Sequence, residues 1–197
     1  MIAVLLLTLS AGVFAQDVYD PEDEYLATQY SLGDQMFSIH LGAIFPMINW
    51  APSSSKFIDP NLSVGGSGYL EWSAFVNSHL SIGGNIGSSF MYTPADDILL
   101  LIPITVVTTW TFQVYPFDIP VFARTGINFT KRKPETFVGP ILQLGSGFYW
   151  NMNSSWAFGA RLTYTMLPVF FGSDSNRTNQ NRIGNYAELH FGAVYHF

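Results

Sequence analysis

The chain has 197 residues, of which 48% are hydrophobic and only 11% charged, and its formal net charge is −6. A soluble domain usually carries about 25% charged residues, so the deficit calls for a surface that meets lipid, and the acidic balance speaks against a nucleic-acid partner. There is no cysteine, which excludes disulfides, thiolate metal sites, cysteine nucleophiles and a lipid-modified N-terminal cysteine.

Residues 1–15 read as a secretory signal peptide. Ile2 to Leu9 is a short apolar core, and Val13-Phe14-Ala15 places small residues for cleavage before Gln16. Residues 16–35 form an acidic segment with Asp17, Asp20, Glu22, Asp23, Glu24 and Asp34. It lacks alternation and is expected to be a solvated periplasmic tail. No later stretch suits a spanning helix, which needs about 20 apolar residues. The best, Ile98 to Val107, is too short and carries Pro103. A membrane chain without a spanning helix must close its sheet into a barrel.

From Met36 onward the hydrophobic period is two, in segments of the length membrane strands require. The aromatic wealth, 17 Phe, 10 Tyr and 5 Trp, suits such strands. Eight segments are predicted: 36–45, 62–76, 79–92, 98–115, 121–130, 137–150, 156–167 and 183–197. Their apolar faces run, for example, Phe37-Ile39-Leu41 in the first and Leu189-Phe191-Ala193-Tyr195-Phe197 in the last. The connections alternate in length. Asn77-Ser78, Pro116–Pro120 and Asn151–Ser155 are short, as periplasmic turns are, and Pro46–Asn61 and Pro168–Arg182 are long, as external loops are. The expected fold is all-β: an eight-stranded antiparallel transmembrane barrel over residues 36–197, an up-and-down meander with both termini periplasmic.

The charges fix the register. Glu71, Arg124, Arg161 and Glu188 all alternate with the apolar positions, so none faces lipid, where a charge at mid-membrane costs about 2–4 kcal/mol. A soluble β-sandwich would bury the apolar face and wet the polar one; the signal peptide and the aromatics at strand ends (Trp72, Trp110, Trp150 and Trp156 at one end, Tyr92 and Tyr164 at the other) decide against it.

Four constellations emerge. Glu71, Arg124, Arg161, Glu188 and His190 are expected to form a lumen charge network, acids paired with arginines, extended by His40, Tyr69, Asn85, Gln143 and Tyr149. In a barrel just wide enough for side chains to fill, this reads as a structural plug. Pro103 and Pro140 each remove a ladder donor; with the inward Leu101 they mark a candidate lateral route through the wall. Lys131, Arg132 and Lys133 form a candidate polyanion-binding loop, toward lipopolysaccharide phosphate or a host surface molecule. The long loops suit adhesion or antigen display. No catalytic residue, cofactor or metal site is expected: His79 and His196 sit by turns or the chain end, metal-ligand spacing is absent, and Gly83-Gly84-Asn85-Ile86-Gly87 lies inside a strand and is no phosphate loop.

Strand eight ends on Phe197 with Tyr195 and Phe191 outward. This resembles the C-terminal signal by which bacterial outer-membrane barrels are recognised by the barrel-assembly machinery. With signal peptide and strand count, the chain looks most like the small OmpW/OmpX-type barrels, and its aromatic style suggests a spirochaete member. The resemblance implies residence in the bacterial outer membrane and, for OmpW-like proteins, sideways movement of small hydrophobic compounds.

Overall fold

The computed structural model describes residues 30–51, 56–94, 97–132, 135–169 and 182–197. Eight long strands make the wall: β1 (Gln35–Pro46), β4 (Gly65–Phe75), β5 (Leu80–Tyr92), β6 (Ile98–Val114), β7 (Phe117–Arg132), β8 (Glu135–Asn151), β9 (Trp156–Val169) and β10 (Arg182–His196). Each pairs antiparallel with the next, and β1 pairs with β10 from Met36–His196 to Pro46–Tyr186. The sheet is therefore a closed eight-stranded meander, which leaves no sheet edge along the β1–β10 seam. Gln35 and Phe197 exchange two backbone hydrogen bonds of 3.0 Å, so the last residue locks the seam.

Alternation sets the two faces. Ser38, His40, Tyr69, Glu71, Asn85, Arg124, Gln143, Arg161, Glu188 and His190 are buried in the lumen, while Ile39, Leu70, Ile86, Val106, Leu144, Leu162 and Phe191 are exposed outside. Every outward position predicted for the eighth strand lies on the outer face. An exposed apolar belt around a polar interior inverts the soluble pattern and suits lipid.

Two short turns have one cause. Asn77 Oδ1 accepts from the amides of His79 and Leu80 at 2.8 and 2.7 Å. Asn153 Oδ1 likewise accepts from Ser155 and Trp156 at 2.9 and 2.7 Å. Side-chain capping of this kind makes Asn a turn former. The third turn is shorter than Pro116–Pro120: β7 already begins at Phe117, and Asp118 faces inward and buried. These turns share one end of the barrel with Gln35 and Phe197, the terminal end; the remaining connections share the other, the loop end, where the β7–β8 connection is as short as the turns, since β7 runs to Arg132 and β8 starts at Glu135.

Three further differences from the sequence reading stand out. The loop Pro46–Asn61 contains a small hairpin, β2 (Asn49–Ala51) and β3 (Lys56–Ile58), joined to β10 through Trp50–Ile183. β9 runs on through Pro168 to Val169. Residues 30–34, assigned to the solvated tail, include a buried Tyr30, and β1 starts at Gln35. The signal segment, and the tail up to residue 29, lie outside the described residues.

Aromatic rings lie flat against the inner wall where the facing residue is glycine. Tyr69 pairs with Gly87, and a Cβ on Gly87 would sit 2.3 Å from the Tyr69 ring. His40 pairs with Gly192, where a Cβ would meet its ring at the same distance. Glycine here admits a ring rather than bending the chain.

Candidate functional site: a layered lumen

The lumen is filled in layers. At its centre Glu71 of β4 accepts from both arginines: Arg124 Nη2 at 2.6 Å, and Arg161 Nη1 and Nη2 at 3.1 and 3.4 Å. Asn85 Nδ2 adds a donor at 3.3 Å. All three charges are buried. Arg124 Nε and Nη1 and Arg161 Nε have no hydrogen-bonding partner among the described residues. Both guanidinium carbons lie 4.5 Å from the Phe122 ring centroid, and the Tyr69 and Tyr149 rings stand further off, so cation–π attraction partly replaces the missing acceptors.

The expected pairing of two acids with two arginines is thus corrected. Glu188 makes no ion pair with arginine among the described residues. It accepts from Tyr69 OH at 2.5 Å and Thr165 Oγ1 at 2.6 Å, with Gln143 Nε2 at 3.5 Å. The stagger of the closed sheet is the cause: β4, β7 and β9 bring their charges together, while β10 sets Glu188 beside β9 Thr163 and one step from Thr165. His190 Nε2 lies 2.7 Å from Ser67 Oγ and 3.4 Å from Glu188 Oε2. Serine, histidine and acid therefore converge, but on one ring nitrogen; a nucleophilic triad needs the serine and the acid on opposite nitrogens.

Toward the loop end the lumen turns apolar. Ile44, Met91, Leu99, Leu101, Ile141, Leu167 and Tyr186 form one buried cluster, with Leu62 packed against it. Leu101 thus belongs to a buried, packed cluster. Pro103 is buried on the inner face, and the β5–β6 ladder skips a step beside it, between Ile86–Ile104 and Ser89–Leu101. Pro140 sits on the outer face of β8. It stays in register with Ile127 of β7, but the β8–β9 ladder ends at Leu142–Met166. Continued by the same register, Pro140 would face Pro168, and neither has an N–H to give. The two prolines of the candidate route are thus not on one seam: one interrupts β5–β6, the other ends β8–β9.

At the terminal end Tyr30 docks as a cap. Tyr30 stacks on Phe75 with ring centroids 4.1 Å apart, and its hydroxyl donates to Asp118 Oδ2 at 2.5 Å. Asn151 Nδ2 donates to the same oxygen at 3.0 Å. Burial first, then the Asp118 carboxylate, push the Tyr30 phenol well above its usual range. Behind the cap lies a cavity bordered by Tyr30, Phe75, Thr109, Tyr149, Arg161 and His196. Sequence reasoning missed Tyr30 and Asp118, since neither belongs to an alternating segment; the one signal was an aromatic residue in an acidic stretch.

Lys131 is exposed near the loop-end rim of β7, and Arg132 ends that strand; Lys133 lies outside the described residues. No cluster of three or more metal-ligating side chains occurs among the described residues.

A protein-family model matches residues 16–195, nearly the whole chain, and the chain belongs to that family. Among solved structures, Neisserial surface protein A superimposes with a TM-score of 0.62 at 13% identity, covering 84% of this chain and 97% of that one. The outer membrane protein OprG from Pseudomonas aeruginosa does so with 0.53 at 11%, covering 86% and 98%. The chain has the fold of these small eight-stranded β-barrels. At these identities the likeness is one of fold. Sequence relatives of this eight-stranded barrel include proteins of spirochaetes. An uncharacterized protein of Treponema pallidum is 28% identical over 133 residues, covering 68% of this chain and 59% of that protein. An uncharacterized protein of Borreliella burgdorferi is 31% identical over 143 residues, covering 60% and 66%. The barrel thus spans roughly three fifths to two thirds of their length.

Proposed function

We propose that this outer-membrane barrel is a closed scaffold: it conducts no ions and acts at its loop end, where its connections meet the outside. In this reading the terminal end faces the periplasm, and β10 is the strand presented to the barrel-assembly machinery. One observation carries it. Glu71 and its two arginines are buried in the lumen, joined across it from β4, β7 and β9, and a buried apolar cluster lies above them, so a permeant ion would have to displace both layers. Eight strands leave an interior that side chains alone can fill. The test is conductance of the purified, refolded protein in planar bilayers. The expectation is a baseline indistinguishable from protein-free membrane; stable single-channel steps would refute it. The exposed Lys131 at the rim offers a contact for anionic headgroup phosphates or a host polyanion, measurable as heparin retention that a Lys131→Ala, Arg132→Ala change lowers.

A second reading is favoured by the β8–β9 seam. Ile141 and Leu167 of the apolar cluster lie just past its last ladder pair, Leu142–Met166. A small hydrophobic compound entering among these side chains has a stretch of wall without ladder bonds through which to leave sideways. Binding of an alkyl probe that Ile141→Asn weakens supports this; binding unchanged by Ile141→Asn and Leu167→Asn removes it.

A further inference from the structure

The β2–β3 hairpin extends the lipid-facing wall past the barrel rim. Trp50 pairs with Ile183 of β10 and with Phe57 of β3. Pairing across an antiparallel ladder keeps side chains on one face, so Trp50 and Phe57 share the outer face that continues down β10 through Ala187, Leu189 and Phe191. Trp50 is 41% and Phe57 74% exposed, while Ala51 turns inward and is buried. A regular continuation of β1 would put Trp50 inside; the break at Met47-Ile48 turns it out. That break is held in place. Asn185 Nδ2 donates to the Ile48 carbonyl at 2.8 Å, and Asn185 Oδ1 accepts from Tyr164 OH at 2.7 Å.

We infer that this hairpin seats in the membrane itself, at the boundary between headgroups and acyl chains on the loop-end side. Height supports the assignment. From Tyr195 to Ile183 the strand rises about 40 Å at about 3.3 Å per residue, or about 30 Å along the axis at a tilt of about 40°. The apolar band of such barrels is about 25 Å tall with an aromatic girdle at each border. Tyr195 and Trp156, whose rings meet at a tilt near the terminal end, mark one border, so Trp50 falls at the other. Tryptophan favours that level because its ring is apolar and its N–H is wet. Of the five tryptophans, Trp72, Trp110, Trp150 and Trp156 lie at the terminal end; Trp50 is the one at the loop end.

The experiment is tryptophan quenching of the full chain refolded into phosphatidylcholine vesicles with acyl chains brominated near the headgroup. Subtracting the Trp50→Phe spectrum from the wild-type one isolates Trp50. The expected result is a blue-shifted difference spectrum that loses most of its intensity in brominated vesicles and resists aqueous iodide. A second reporter, Phe57→Trp in the Trp50→Phe background, should behave alike. A difference spectrum quenched by iodide and untouched by bromine overturns the inference, as does one that shifts only with protein concentration, the mark of a second copy seated there. Bromine quenching of the four terminal-end tryptophans reports membrane insertion separately, so failure to insert is told apart from failure of the hairpin to seat.

Discussion

Arg124 Nη2 lies 2.6 Å from Glu71 Oε2, joining β7 to β4 across the lumen, and both side chains are almost fully buried. Their partner Arg161 reaches the same carboxylate from β9. One acid thus serves two cations, and removing it strands both. Losing one member of a buried ion pair typically costs about 3–5 kcal/mol. Glu71→Ala is therefore expected to lower unfolding stability in lipid by about that amount, measured by urea titration of the refolded protein, whereas Glu188→Gln, which leaves no arginine unpaired, should cost less. Equal losses would contradict the asymmetric pairing.

The Tyr69–Gly87 pair predicts a coupling. Gly87→Val drives a methyl into the Tyr69 ring, and overpacking of this kind costs about 1–3 kcal/mol. The same change in a Tyr69→Ser background should cost markedly less, because the ring is gone. A double-mutant cycle on unfolding stability reads the difference; additive costs would show that the glycine serves something else.

Much of this was legible in the sequence, and the boundary of legibility is physical. Period two put Glu71, Arg124, Arg161 and Glu188 on one side of the wall, because a strand has only two faces. Which acid meets which arginine depends on the stagger between strands far apart in sequence, and alternation within a strand carries no trace of that. Trp50 escaped because the break at Met47-Ile48 flips its face. Tyr30 escaped because it docks as a single side chain and shows no period. Pro168 was placed in a loop on its residue type, yet it lies in β9, paired with Ile183 of β10.

The cap at the terminal end should open with rising pH. Because the Tyr30 phenol is raised when docked, docking favours its neutral form. That contribution is complete below the ordinary tyrosine value of about 10 and is lost progressively as pH climbs above it toward the docked value. Thr109 borders the cavity behind the cap, so labelling of Thr109→Cys by a membrane-impermeant maleimide reports opening. Tyr30→Ala should speed labelling at neutral pH. Tyr30→Phe, which keeps the stack on Phe75 but has no proton to lose, should flatten the rise above pH 10. A rise that persists in Tyr30→Phe would assign the pH response elsewhere.

The seam between β8 and β9 predicts an exchange boundary. The β8–β9 ladder ends at Leu142–Met166; beyond it Ile141 is held by Gly126 of β7 and Leu167 by Gly184 of β10, so the donors missing across the seam are those of Pro140 and Pro168. Pro140→Val with Pro168→Val places two new amides facing each other across the seam, and hydrogen exchange in lipid should find both protected; rapid exchange of both would mean that the prolines do not set the end of the ladder.

The closed lumen is tested most directly by single-channel recording of the refolded wild-type barrel in planar bilayers. With Glu71, Arg124 and Arg161 packed beneath the apolar cluster, no conductance steps are expected at any holding potential the membrane survives. Stable, reproducible steps from the monomer would contradict the account.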